Sequence, residues 1–229
     1  RQAVVEIRLF GGFDIRVDGA AQDLSGLKPK ARTLLRLLAA QGGRPMHREA
    51  IQAALWPEAD AEAGGRNLHV AVSSLRQALE PGVARAGFSL LVRDGEAYRL
   101  ALGSRATCEL ASLELDMAGG RQARVRGDLE GAAASYRRVL ELLVGELLPE
   151  DGAAEWVLEP RERCRADGVE AAQFLGERMF EDGDLDGVVW ACAAGLRVDR
   201  YHDPLWRLLI AARERAGDLG AARRARADY

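Results

Sequence analysis

Hydrophobic and polar residues alternate with a period of two at the start of the chain. The apolar positions make up two runs, Val5, Ile7 and Leu9 followed by Phe13, Ile15 and Val17. Gly11 and Gly12 separate the runs, and alternation around a glycine pair predicts a β-hairpin with one buried face. A second alternating segment covers residues 90–102 and contains Asp94-Gly95, a pair that favours the tight turn of another hairpin.

Between the two hairpins the apolar spacing changes to that of helices. The pattern predicts one helix from Pro29 to Gly42-Gly43, a second from His47 to Trp56-Pro57, and a third over residues 66–80. The third has one apolar stripe, formed by Leu68, Val72, Leu75 and Leu79. Strands, three helices and a hairpin in this order predict an α+β winged helix over residues 1–103, with the hairpin as its wing.

The outward face of the third predicted helix carries side chains that can hydrogen-bond to base edges. They are Arg66, Asn67, His69, Ser73, Arg76 and Gln77. In helix-turn-helix proteins the last helix enters the major groove of DNA. The cations expected to hold phosphates are Lys28, Lys30 and Arg48 near the helices and Arg93 on the wing. The alternative is a small α+β domain whose third helix is only solvated.

A Gly-Asp-Leu triplet recurs in the rear half of the chain, at residues 127–129, 183–185 and 217–219. The last two copies are 34 residues apart, which is the period of a tetratricopeptide repeat. Each glycine is suited to a left-handed turn and each aspartate to capping the helix that follows. Residues 104–229 are therefore predicted to form an all-α, tetratricopeptide-like helical-repeat domain.

One acidic segment of this half resembles the start of a calcium loop. Asp182, Asp184 and Asp186 precede Gly187, but Ala193 stands where a calcium loop needs its closing glutamate. We therefore interpret the segment as a repeat turn and expect no metal site there.

Charge divides the chain unevenly. Residues 1–102 carry 14 Lys and Arg against 11 Asp and Glu, and residues 103–229 carry 18 against 24. The basic excess is concentrated between Asp23 and Glu49, where six cations and no acidic residue occur. This asymmetry indicates an anionic partner for the front half only.

Composition and motifs exclude several classes of protein. No apolar run approaches the roughly 18 residues of a membrane helix, and the three widely spaced cysteines fit a reducing cytoplasm. Phosphate-binding loops, zinc-protease helices and nucleophile elbows have no match in the sequence. We therefore expect a cytoplasmic protein that is not an enzyme, needs no cofactor and does not contact a membrane.

Three segments resemble the actinobacterial antibiotic-regulatory activators known as the SARP family. They are IRLFGGFDIRVDG at 7–19, LKPKARTLLRLLAAQGGRPMHREAIQAALWPEA at 27–59 and NLHVAVSSLRQALE at 67–80. The segment GELLPEDGAAEWVLEPRERC at 145–164 is similar to a connector in the same family. The resemblance implies an OmpR-type winged helix followed by a bacterial transcriptional activator domain.

The resemblance also implies a sequence-specific activator of transcription with double-stranded DNA and RNA polymerase holoenzyme as partners. Protomers would pair on direct-repeat promoter sites, and residues 56–65 resemble the polymerase-contacting loop of OmpR-type regulators. The chain departs from the family at Ser74 and Gln77, where basic residues are common. The alternative function is therefore a ligand-sensing or protein-interaction module whose winged helix has lost or weakened DNA binding.

An arginine cluster in the rear half raises one further hypothesis. Arg161, Arg163 and Arg165 are close together in sequence and could hold a small anionic effector through bidentate guanidinium contacts. The alternative is a solvated helix face.

Overall fold

The computed structural model describes residues 4–84, 87–103 and 106–229. The chain forms two compact units, the first made of Arg1–Ala111 with Leu147–Pro160 and the second of Ser112–Glu146 with Arg161–Tyr229. The predicted domain boundary falls at residue 104, which lies outside the described residues. The first unit extends past that position and includes a segment from much later in the chain.

The winged-helix part of the first unit contains seven short strands and three helices among its described residues. In chain order they are β1 (Val5–Arg8), β2 (Asp14–Val17), β3 (Ala20–Ala21), α1 (Pro29–Ala39), β4 (Met46–His47), α2 (Arg48–Leu55), α3 (Ala61–Leu79), β5 (Leu91–Asp94), β6 (Ala97–Leu100) and β7 (Thr107–Cys108). The remaining elements are α4 (Glu109–Val125), α5 (Leu129–Leu142), a 3₁₀ turn (Pro149–Asp151), α6 (Glu155–Asp182), α7 (Leu185–Val198), α8 (Asp203–Arg215) and α9 (Leu219–Asp228).

Both predicted hairpins are confirmed. β1 and β2 pair antiparallel with Ile7 opposite Ile15, and both side chains are buried. β3 and β7 complete this sheet in the order β3-β2-β1-β7, with β7 parallel to β1. β5 and β6 form the wing, and β4 joins them in a second sheet of order β4-β6-β5.

The three predicted helices pack around one apolar core. α3 lies against both α1 and α2, and the predicted stripe of Leu68, Val72, Leu75 and Leu79 is buried. α1 contributes Leu34, Leu35 and Leu38, each almost completely buried. The apolar spacing therefore predicted correctly which face of each helix points inward.

α3 begins five residues earlier than predicted. Asp60 caps it by accepting a hydrogen bond from the backbone N–H of Ala63 at 2.7 Å. Gly64 and Gly65, expected in a loop, lie inside the helix, and a Cβ on Gly64 would stand 3.2 Å from Oε1 of Gln52 on α2. The predicted loop at residues 56–65 is thus reduced to 56–60, because an N-cap and a close helix contact were mistaken for turn residues.

A segment from between α5 and α6 packs on the N-terminal sheet. The backbone N–H of Leu148 donates to the carbonyl of Leu9 at 2.8 Å, and Phe10 and Leu147 form an antiparallel bridge. Oε1 of Glu150 accepts from the backbone N–H of Phe13 at 2.6 Å. Residues 147–150 therefore satisfy backbone groups that the β1–β2 connection leaves unpaired.

A largely buried ion pair joins the same segment to α1. Nε and Nη2 of Arg36 donate to the two carboxylate oxygens of Asp151 at 2.6 and 2.7 Å. The side chains of Arg36 and Asp151 are only 13% and 3% exposed. The bidentate geometry compensates two charges that would otherwise be costly to remove from water.

The three Gly-Asp turns of the second unit have the predicted roles. Gly127, Gly183 and Gly217 all have φ between +75° and +80°. The aspartate after each one caps α5, α7 or α9 by accepting a backbone N–H at 2.9 Å. α7, α8 and α9 pack in succession, as expected for helical repeats.

A polar network connects α4, α5 and α6 within the second unit. Arg121 donates to Glu170 at 2.6 Å and to Asp167 at 2.7 Å, and the hydroxyl of Tyr136 donates to Glu170 at 3.0 Å. The hydrogen bond from Arg121 is the main reason why the pKa of Glu170 is lowered. Desolvation instead raises the pKa of Asp167, so the pKa values of these two carboxyls are shifted in opposite directions from their ordinary values.

We expect Asp151→Ala to lower the free energy of unfolding by about 3 kcal/mol, because it leaves the Arg36 guanidinium uncompensated in a mostly buried site. Urea unfolding of the whole chain measures this change. The matched control is Asp14→Ala, which removes the exposed Arg16–Asp14 pair and should cost no more than about 1 kcal/mol. Equal effects of the two substitutions would contradict the assignment of Arg36–Asp151 as a structural pair.

We expect Glu170→Gln to destabilise the protein most at neutral pH. Since the pKa of folded Glu170 is lowered, its stabilising contribution is complete above the ordinary glutamate pKa of about 4.3 and is lost as pH falls below it. Unfolding free energies measured from pH 7 downward should therefore converge for the variant and the parent protein. Glu181→Gln, at an exposed position, is the control, and a difference independent of pH would refute the expectation.

Candidate nucleic-acid interface

The outward face of α3 presents most of the predicted base-contacting residues to solvent. Arg66, Asn67, His69 and Gln77 are exposed, and Ser73 is half-buried. Their positions follow directly from the buried stripe on the opposite side of the helix. A mostly polar helix face of this length can lie along the edges of several base pairs.

Val70 lies among these residues and was missed by the sequence prediction. Its side chain is 54% exposed, although valine is apolar. Valine has no side-chain hydrogen-bonding group and so did not fit the polar pattern, but its position outside the buried stripe was readable from the sequence. An exposed apolar group on such a face can contact the methyl group of thymine.

Arg76 lies apart from the other predicted base-contacting residues. Its Nε–H donates to the backbone carbonyl of Leu91 on β5 at 2.9 Å, and its guanidinium lies 5.9 Å from the ring centre of Phe88. The side chain therefore ties α3 to the wing and does not point outward along the helix face. The sequence placed it on the correct helix but could not reveal its contact with β5.

Lys28 and Lys30 flank one side of α3. Lys28 is the N-cap residue of α1 and Lys30 lies in its first turn. The two lysines line a surface groove of about 430 Å³ together with Trp56, Asn67, Val70 and Ser74. Both lysines are exposed, and the described part of the chain has no carboxylate within ion-pair distance of either. Their charges are therefore available to an anion that lies along the groove.

Arg48 and Arg93 meet on the wing through a shared carboxylate. Oε2 of Glu96 accepts from Nε of Arg48 at 2.8 Å, and Oε1 accepts from Nη2 of Arg93 at 2.6 Å. All three side chains are about half exposed. The structure therefore brings the two predicted phosphate-contacting arginines together, but with a compensating negative charge that the sequence prediction did not include.

Arg66 is compensated in a similar way. Its guanidinium forms an ion pair with Glu62, one helical turn earlier on α3, and both side chains are mostly exposed. Because such exposed pairs contribute little free energy, a competing anion can displace the glutamate.

The three arginines of the predicted effector cluster on α6 do not all lie on one face of the helix. Arg161 is only 12% exposed on its side chain and pairs with Glu146 at 3.3 Å, while Arg165 pairs with Glu162 at 3.1 Å. Residues two apart on a helix point in nearly opposite directions, so Arg163 lies on a different face from Arg161 and Arg165, which are one helical turn apart. The anionic effector site stays a prediction.

Two family models together match most of the chain. The model for the C-terminal domain of transcriptional regulatory proteins matches residues 22–100, and the model for the bacterial transcriptional activator domain matches residues 108–227.

None of the described helices is both long and apolar enough to cross a membrane.

Curated and solved relatives lead to the same assignment. The transcriptional regulatory protein EmbR of Mycobacterium tuberculosis is 28% identical over 224 residues, which are 96% of this chain and 57% of EmbR. MoaR1 of Mycobacterium bovis is 22% identical over 207 residues, covering 90% of this chain and 65% of that protein. The chain thus spans about three fifths of the length of these relatives.

A solved structure of Mycobacterium tuberculosis EmbR in complex with a low-affinity phosphopeptide has the same fold. Its TM-score is 0.70 at 25% identity, over 98% of this chain and 58% of that one. With the two family models, this similarity supports the fold and family that the sequence motifs indicated. The chain therefore belongs to the SARP-type bacterial transcriptional regulators, which join an OmpR-type winged helix to a bacterial transcriptional activator domain.

Proposed function

We propose that this transcriptional regulator binds double-stranded DNA with α3 in the major groove and the β5–β6 wing on the adjacent backbone. The observation that carries the proposal is the exposed polar face of α3, with Lys28 and Lys30 in a groove beside it and two further arginines around the wing residue Glu96. This distribution matches the division of labour in helix-turn-helix proteins, in which base contacts give specificity and flanking cations fix position.

Within this interface, Asn67 and Gln77 are the candidates for bidentate contacts with adenine, and Arg66 for contact with guanine after release from Glu62. His69 and Ser73 extend the polar face, and Val70 adds an apolar contact. Arg76 has a supporting role, because its hydrogen bond to Leu91 holds α3 against β5. Lys28, Lys30, Arg48 and Arg93 contribute the phosphate contacts.

The wider role is proposed from family membership. The protein would activate transcription from direct-repeat promoter sites as paired protomers and would recruit RNA polymerase holoenzyme. The connection between α2 and α3 that would contact the polymerase is residues 56–60. The activator domain would supply the remaining protein-binding surface.

One observation favours a second candidate, an interaction or ligand-sensing module with weakened DNA binding. Arg48, Arg66 and Arg93 are all paired with carboxylates, and Ser74 and Gln77 replace cations common in the family. We prefer the DNA-binding proposal because exposed ion pairs of this kind exchange readily with phosphate.

We expect enrichment of a repeated sequence motif when the protein selects from a pool of random DNA duplexes. Gln77→Ala should weaken binding to the selected motif by about 10–100-fold and relax one base position, since one good base contact contributes about 1–3 kcal/mol. Measurement of Kd for the motif and for permuted motifs tests both effects.

We expect the double substitution Lys28→Ala and Lys30→Ala to weaken binding equally for all sequences. The slope of log K against log salt concentration should become shallower by about 2, because each of the two lysines would neutralise one phosphate. Arg223→Ala, at an exposed site on α9, is the control and should leave the slope unchanged. Absence of any enriched motif, with the same weak affinity in all variants, would favour the interaction module.

A further inference from the structure

Glu96 occupies an unusual position for a carboxylate in a surface that binds DNA. It lies in the two-residue turn of the wing, where Gly95 has φ +60°, and its two oxygens are divided between Arg48 and Arg93. The three side chains together carry one positive charge where the two arginines alone would carry two. No other glutamate among the described residues has ion pairs to two of the predicted phosphate-contacting arginines.

The position of Glu96 is fixed by the backbone. Its carbonyl accepts a hydrogen bond from the backbone N–H of Arg48 at 2.9 Å, and the neighbouring residue Ala97 pairs with His47 in the β4–β6 ladder. The backbone of the turn is therefore held next to α2, and the Glu96 carboxylate starts beside both guanidiniums when a phosphate approaches.

Each arginine keeps further donors. Arg48 uses Nε for Glu96, and Arg93 uses Nε for the carbonyl of Gly95 and Nη2 for Glu96. A guanidinium has five N–H groups, so a phosphate seated closely against the wing can be bound while Glu96 stays in place. A loosely bound duplex is attracted at longer range by net charge. It instead experiences the reduced net charge of Arg48, Arg93 and Glu96 together.

We propose that Glu96 limits sequence-independent DNA binding by competing with phosphates for Arg48 and Arg93. The inference depends on the proposed DNA-binding function and assigns a specificity-determining role to a residue of the wing. A closely fitted complex, in which α3 contacts bases, retains most of the contacts from Arg48 and Arg93 to phosphates. Binding to other sequences depends on net charge and is weakened, because Glu96 cancels one of the two positive charges.

The test compares Glu96→Gln with Glu49→Gln in the whole chain. Both substitutions remove one negative charge on neighbouring surface, but Glu49 is paired only with His47 at 3.8 Å among the described contacts. We expect Glu96→Gln to tighten binding to a random-sequence duplex by about 3–10-fold at about 0.1 M salt and to steepen the salt slope by about 1. Glu49→Gln should have a clearly smaller effect.

A double substitution shows whether the gain comes through the arginines. Adding Arg48→Gln to Glu96→Gln should abolish most of the gain in affinity for the random duplex. Adding Arg48→Gln to Glu49→Gln should lower that affinity by the same factor as Arg48→Gln does in the parent protein. Thermal unfolding of all variants checks that the fold is retained. Affinity for the selected motif should rise less than affinity for the random duplex.

The outcomes separate the inference from the function it depends on. If the parent protein binds a selected motif and Glu96→Gln leaves random-duplex binding unchanged, weakens it, or matches Glu49→Gln, then Glu96 does not compete with phosphates. If no variant and no parent protein binds DNA at all, the proposed function itself fails. Tighter binding that depends on Arg48 supports the inference.

Discussion

The burial of one stripe of α3 against α1 and α2 is the constraint on which the candidate interface depends. With Leu68, Val72, Leu75 and Leu79 inside the core, the opposite side of the helix has to face solvent. A rotation that exposed these side chains would cost several kcal/mol, because each buried large apolar side chain contributes about 1.5–3 kcal/mol. Apolar packing therefore fixes the direction of the polar residues that would meet DNA.

Most of the arginines around this interface are paired with carboxylates, which reduces its net positive charge. Arg66 pairs with Glu62, and Arg48 and Arg93 share Glu96, while Lys28 and Lys30 stand beside the groove without a described acidic partner. If α3 binds DNA as proposed, such a surface would attract a duplex weakly at long range and bind it more strongly at close contact. The alternation of cations and carboxylates would then favour discrimination between sequences over overall affinity.

The first unit is completed by residues from far along the chain. Residues 147–150 pair with the β1–β2 connection, and Asp151 neutralises Arg36 on α1. Parts of the chain matched by the activator-domain model thus contribute to the compact unit that holds the winged helix. The two matched regions of this chain therefore do not coincide with its two compact units.

The sequence alone determined the hairpins, the buried faces of the helices and the Gly-Asp caps, because these depend on local periodicity and local backbone preference. Family and fold class followed from the same motifs. Only the tertiary structure decided that Arg76 bonds to Leu91, that Glu96 lies between two arginines and that Asp151 reaches Arg36. These contacts join residues 15, 48 and 115 positions apart, and no local pattern records which side chains folding brings together.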